Sequence, residues 1–201
     1  MDIILFAMLS YLYGSIPFGY IATYIIKGKR LTEEGTGNVG VTNTYKVGGI
    51  VAGIVTIFGE ISKAVVSIAA AKTFFPGSPL IAFLLVFCSL VGTSFSAFLK
   101  GRGSKGSTAA FWSIFLLSRN ACFILLGTWI ILALLARISI HIKKLQLIFI
   151  PCVIYLVERD MAFTLFGVLT SALFFFTTYL RKDDFSYYNI LSQKRSSPPV
   201  I

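Results

Sequence analysis

With 201 residues, 56% of them hydrophobic and 13% charged, and a mean hydropathy of +0.84, the chain carries more apolar surface than a soluble core of this length can hide. Its net charge of +10 invites comparison with nucleic-acid binders, but those place their cations on a soluble face or tail, and here the cations fall between apolar runs. Composition therefore predicts an all-α, polytopic membrane helix bundle and excludes a nucleic-acid partner.

A helix needs about 20 mostly apolar residues to cross hydrocarbon, because every backbone group must be bonded within the spanning segment. In chain order the sequence predicts about seven such runs: Ile3–Ile26, Gly49–Ala71, Leu80–Leu99, Ser107–Leu117, Ala121–Ala136, Leu145–Val157 and Met161–Leu180. The fourth is short for a straight crossing and the sixth is marginal. Each reads either as a tilted span or as a re-entrant segment, which leaves five or six crossings as the alternative. The first run has no basic flank before it and no small-residue cleavage site after it, so it reads as a permanent helix, kinked at Gly14-Ser15-Ile16-Pro17.

The loops after the first, third, fifth and seventh runs hold fourteen of the eighteen cations, from Lys27 to Arg195. The other side holds only Lys72, Arg119 and Arg159, and Lys63 lies within a run. Cations concentrate on the cytoplasmic side of membrane proteins, so the N-terminus is expected outside and the C-terminus inside. Residues 1–185 are expected to form one transmembrane domain and residues 186–201 a disordered cytoplasmic tail.

Two loops on the expected cytoplasmic face carry residues suited to anions. In Gly35-Thr36-Gly37-Asn38-Val39-Gly40-Val41-Thr42-Asn43, glycines interleave with short hydroxyl and amide side chains, and Lys46 follows. Glycine lets the backbone approach a ligand, Thr and Asn can bond phosphate oxygens, and Lys46 adds charge. A polar connector between helices is the plainer reading. In Lys100-Gly101-Arg102-Gly103-Ser104-Lys105-Gly106-Ser107-Thr108, three cations precede a helix start that Ser107 or Thr108 could cap. Its plainer reading is a basic loop that fixes topology or touches anionic lipid. The Walker A spacing is absent and no strand precedes it, which argues against an ATPase.

Glu60 and Lys63 share one face of the second run at i,i+3 spacing, as a structural ion pair or as a pair that handles substrate. Cys88, Cys122 and Cys152 lie in apolar runs without metal-ligand spacing, so neither a disulfide nor a metal is expected. His141 sits in a basic loop and reads as solvated, and Glu158, Arg159 and Asp160 read as a solvated outer connector.

In this order along the chain, the motifs resemble those of the bacterial acyl-phosphate:glycerol-3-phosphate acyltransferases, small seven-helix membrane enzymes. Gly14-Ser15-Ile16-Pro17 is similar to that family's first-helix motif. Gly35 to Asn43 resembles its Gly-Ser-Gly-Asn-x-Gly-Ala-Thr-Asn loop, with Thr36 and Val41 substituted and Lys46 in place of an Arg. Glu60-x-x-Lys63 resembles an Asp-x-x-Lys, and Arg102-Gly103-Ser104-Lys105-Gly106 a Lys-Gly-Gly-Lys-Gly loop. Beyond about residue 110 the likeness fades. The family's His and Pro ahead of the second loop are here Thr93 and Ser96. Ser139 loosely matches a serine-bearing segment, Ser186 stands near a family His, Asn189 near its Asn, and no terminal Glu follows.

The resemblance implies acyl transfer from acyl-phosphate to the 1-hydroxyl of glycerol-3-phosphate, giving lysophosphatidic acid and phosphate as the first step of phospholipid synthesis. It implies no cofactor, no metal and no obligate protein partner, in a bacterial inner membrane with the active face cytoplasmic and membrane lipid as surroundings. It assigns Thr36, Asn38, Lys46 and Lys105 to catalysis, and Gly35, Gly37, Thr42, Asn43, Arg102, Gly103, Ser104 and Gly106 to the substrate phosphate. Two alternatives stay open: a catalytically impaired relative that binds a phosphorylated lipid or metabolite, and a small transporter.

Overall fold

The computed structural model describes residues 2–135, 142–181, 184, 187 and 188, with side chains described for 2–131, 149–181 and the last three positions. The described residues form nine α-helices and one 3₁₀ turn, without strands. They are α1 (Ile3–Gly14), α2 (Phe18–Lys27), α3 (Val41–Gly48), α4 (Ile50–Phe74), α5 (Pro79–Ser94), α6 (Ser107–Leu117), α7 (Arg119–Leu135), α8 (Ile142–Glu158) and α9 (Met161–Leu180). Four segments are long and apolar enough to cross a membrane: Ile3–Lys27, Ile50–Phe74, Pro79–Leu99 and Met161–Leu180. The expected spans at Ser107–Leu117, Ala121–Ala136 and Leu145–Val157 lie on shorter helices, α6, α7 and α8.

Local chemistry sets the breaks. Asp2 caps α1 by accepting the amide hydrogens of Ile4 and Leu5, and the expected kink falls between α1 and α2, where Pro17 lacks an N–H. Crossing of α1 and α5 requires Gly14: a Cβ there would lie 2.1 Å from the Ser89 carbonyl oxygen. Around α5 pack α1, α4 and α9, and the α5–α9 contact is aromatic, with Phe83 stacked on Phe163 at 4.8 Å.

The turns that precede α7 and α9 are tied together. Ser118, between α6 and α7, accepts the Ala121 amide hydrogen and donates to Glu158, while Asp160 caps α9 by accepting from Phe163 at 2.8 Å. Glu158 and Arg159 are exposed, as a solvated connector should be, and Asp160 adds a helix cap to it.

One helix is absent from the sequence reading. Val41–Gly48 is helical, so Thr42, Asn43 and Lys46 stand on α3 and not in a loop. Gly40 opens α3 in extended conformation, and Gly49, at φ 87, turns the chain straight into α4. Arg137, Ser139, His141, Lys182, Ser186 and Asn189 lie outside the described residues, as do the side chains of Lys143 and Lys144 and most of the expected tail.

Candidate functional site

The first loop is shaped by Asn43, which is fully buried in the first turn of α3. Its Oδ1 accepts the Thr36 amide hydrogen at 3.1 Å, and its Nδ2 donates to the carbonyls of Glu34 at 3.1 Å and Asn38 at 2.8 Å. Both amide hydrogens thus hold the loop. Gly35 sits where a Cβ would lie 2.3 Å from Asn43 Oδ1, at φ 58, so the wrap closes only around glycine. Gly37 also has positive φ, and Thr42 is half-buried beside Asn43.

The second loop lies against the end of α5. Gly103 is pressed there, a Cβ on it falling 2.2 Å from the Thr93 carbonyl oxygen. The Ser104 amide donates to that same oxygen at 2.9 Å, and the Ser104 hydroxyl accepts from the Gly106 amide at 3.0 Å. Gly106 itself is the N-cap of α6, without a side-chain cap. Ser107 and Thr108 lie inside the helix, which corrects their expected capping role. Thr93 and Ser96, where the resembled family has His and Pro, donate to the carbonyls of Gly14 and Ser15 and lock α1 to α5.

The two loops meet. A Cβ on Gly40, at the start of α3, would lie 3.4 Å from Ser104 Cβ, in ordinary contact. Lys46 is exposed on α3, its Nζ 5.7 Å from the Tyr45 ring centroid and 5.8 Å from that of Tyr188. Lys105 directly follows Ser104, and its carbonyl accepts from Thr177 of α9. The fold thus brings Gly35, Thr36, Gly37, Asn38, Thr42 and Lys46 to the same side as Gly103, Ser104, Lys105 and Gly106.

Three residues that spacing did not single out complete the cluster, all after α9. The Arg181 guanidinium donates to the carbonyls of Gly103 and Ser94, fastening the second loop to α9, and burial draws its pKa below the usual arginine value. Asp184 accepts the hydroxyl hydrogen of Thr36 and, at 2.9 Å, an amide hydrogen of Asn38. The Tyr188 hydroxyl donates to Asn43 Oδ1; burial, and then the charge of Asp184, raises its pKa. Nothing local in the sequence marks them, because each acts on loops many residues earlier.

A cavity of about 540 Å³ adjoins the second loop, walled by Tyr20, Tyr24, Arg30, Thr32, Lys100 and Arg102, with Glu33 paired to Arg30 at 3.5 Å. A second, apolar groove of about 430 Å³ runs along α1 and α4 past Leu9, Tyr13, Ile16, Val66 and Ala70. Phe98 borders both. Glu60 and Lys63 are not part of this cluster. Their described partners are each other, at 2.7 Å, and the Phe18 ring of α2, 5.6 Å from Lys63 Nζ. Among the described residues no three His, Cys, Asp or Glu come together to hold a metal ion.

Residues 4–186 match the model of a family described as glycerol-3-phosphate acyltransferase. The glycerol-3-phosphate acyltransferase of Carboxydothermus hydrogenoformans is 28% identical over 178 residues, 87% of this chain and 88% of that protein. The one from Pelagibacter ubique is 29% identical over 177 residues, 88% of this chain and 90% of the relative. The fold matches the crystal structure of PlsY, an integral membrane glycerol 3-phosphate acyltransferase, in its glycerol 3-phosphate form. The TM-score is 0.76 at 21% identity, covering 98% of this chain and 95% of the other. The lysophosphatidic acid form of that protein gives 0.72 at 20% identity with the same coverage.

Proposed function

The chain belongs to the glycerol-3-phosphate acyltransferase family, and on that footing we propose that it moves a fatty acyl group from acyl-phosphate to the 1-hydroxyl of glycerol-3-phosphate. It is a membrane acyltransferase of phospholipid synthesis. The observation that carries the specific reading is the meeting of the two glycine-rich loops at Gly40 and Ser104, with Lys105 next in sequence to Ser104 and Lys46 farther along α3 against Tyr188. Both substrates bear phosphate, and a site of fixed donors and cations holds such groups where charge develops.

In this reading the acyl carbon's bond to the phosphate oxygen breaks as the glycerol oxygen bonds to that carbon, and the hydroxyl proton leaves with the departing phosphate. Thr36, Asn38 and Thr42 donate to phosphate oxygens. Lys46 and Lys105 stabilise developing charge. Gly35, Gly37, Gly103 and Gly106 leave the backbone open to the ligand, with Ser104 beside it. Asn43 acts by holding the first loop in shape. Arg102, on the wall of the cationic cavity, recruits the donor's phosphate, and the apolar groove beyond Phe98 takes its chain.

Seven crossings, an outer N-terminus and an active face on the cytoplasmic side of a bacterial inner membrane accord with the cation asymmetry of the loops. The donor is the finest part of this proposal, and a choice assay tests it. Offered palmitoyl-phosphate and a palmitoyl thioester in parallel with labelled glycerol-3-phosphate, the purified protein should use the acyl-phosphate and release inorganic phosphate. Use of the thioester alone would refute the donor assignment.

A further inference from the structure

We infer that Asp184 sets the affinity of this site for phosphate by competing for the hydroxyl hydrogen of Thr36 and an amide hydrogen of Asn38. The inference rests on the reading of Thr36 and Asn38 as phosphate donors and adds a residue that nothing in the sequence motifs assigns.

The number of available hydrogens limits what these side chains can serve. A threonine hydroxyl has one hydrogen, and Thr36 gives it to Asp184. The same oxygen accepts the Asn38 backbone amide at 3.3 Å, so the hydroxyl hydrogen is the one donor it can offer outward. A phosphate dianion only accepts, as does a carboxylate. Thr36 therefore serves one of them at a time, and Asn38 Nδ2, 2.9 Å from the same Asp184 oxygen, is drawn into the same exchange. Two anions crowded on one donor set also repel, which adds to the competition.

The geometry lets the exchange stay local. Asp184 lies between two anchors: Arg181, fastened to the carbonyls of Gly103 and Ser94, and Tyr188, fastened to Asn43. With both ends held, the carboxylate stays at high effective concentration beside its donors, and phosphate need displace only the carboxylate and not the whole segment.

A bond to a charged acceptor is about twice as strong as one to a neutral acceptor, so Asp184→Asn should tighten the site for inorganic phosphate about five-fold. Asp184→Ala, which leaves no acceptor, should tighten it by about ten-fold on the same grounds. Phosphate binding is measured by titration calorimetry on the full-length protein in detergent, with thermal unfolding confirming that each variant is folded. In a Thr36→Val background the effect of Asp184→Asn should shrink, because the contested hydrogen is gone.

Weaker or unchanged phosphate binding in folded Asp184→Asn and Asp184→Ala overturns the inference, since a residue that merely supports the loop would weaken the site when removed. No detectable phosphate binding in wild type and variants alike overturns it as well. Loss of the acyltransferase reading is seen separately: no lysophosphatidic acid from the wild type removes that reading, while the phosphate titration still decides on Asp184.

Discussion

Lys63 Nζ lies 2.7 Å from Glu60 Oε1 inside α4, and the two residues are 2% and 4% exposed. Two charges at that depth are held by each other and by the ring of Phe18, while the second carboxylate oxygen of Glu60 has no partner among the described residues. Held this way, the pair has a definite stability signature if its role is structural.

Removing one partner leaves the other charge buried alone. Lys63→Met should destabilise the fold by about 3–5 kcal/mol, whereas Glu60→Leu with Lys63→Met should recover most of that loss. Thermal unfolding in detergent reads both. A double variant that regains stability but loses turnover would instead place the pair in the chemistry.

Asn43→Asp separates scaffold from donor. The substitution keeps an acceptor for Thr36 and Tyr188 but sets a carboxylate against the carbonyl oxygens of Glu34 and Asn38. We expect a stability loss of about 1–3 kcal/mol, from two buried acceptors left without donors, seen as a lower unfolding midpoint without any ligand present. A variant as stable as wild type would return Asn43 to the role of phosphate donor.

Lys105→Ala addresses transition-state charge. If the ammonium meets the developing phosphate charge, turnover should fall by about 10²–10³, the cost of losing one preorganised oxyanion donor. Steady-state kinetics with glycerol-3-phosphate varied checks this. Unchanged turnover removes Lys105 from the chemistry.

Tyr188 gives a pH signature. Its folded-state pKa is raised, by burial first and then by Asp184, so folding favours the neutral phenol. The contribution is complete below the ordinary tyrosine value near 10 and is lost as pH rises through the higher folded value. The stability of wild type relative to Tyr188→Phe should thus hold at neutral pH and shrink above about pH 10. A gap that stays constant across that range would contradict the assignment.

Much of this architecture was legible in the chain. Long apolar runs forecast the four helical segments long enough to cross a membrane, because hydrocarbon leaves the backbone no other partner, and i,i+3 spacing forecast the Glu60–Lys63 contact because helical rise dictates it. The interleaved glycines forecast which loops would converge. What escaped was set by contacts distant in sequence. The Gly, Thr and Asn content of residues 35–43 reads as coil, yet Asn43 stands in a helical turn and reaches back to bond the loop it follows. Asp184, Arg181 and Tyr188 sit in a basic terminal stretch whose composition says only which side of the membrane it prefers. Their roles arise from placing that stretch against two loops that precede it by many residues, which no local pattern encodes.

We place acyl transfer at the junction of the two loops. Full-length protein in liposomes, given palmitoyl-phosphate and labelled glycerol-3-phosphate, tests it directly. Labelled lysophosphatidic acid with one phosphate released per acyl group is the predicted result. Folded protein that binds glycerol-3-phosphate but forms no lysophosphatidic acid would contradict it.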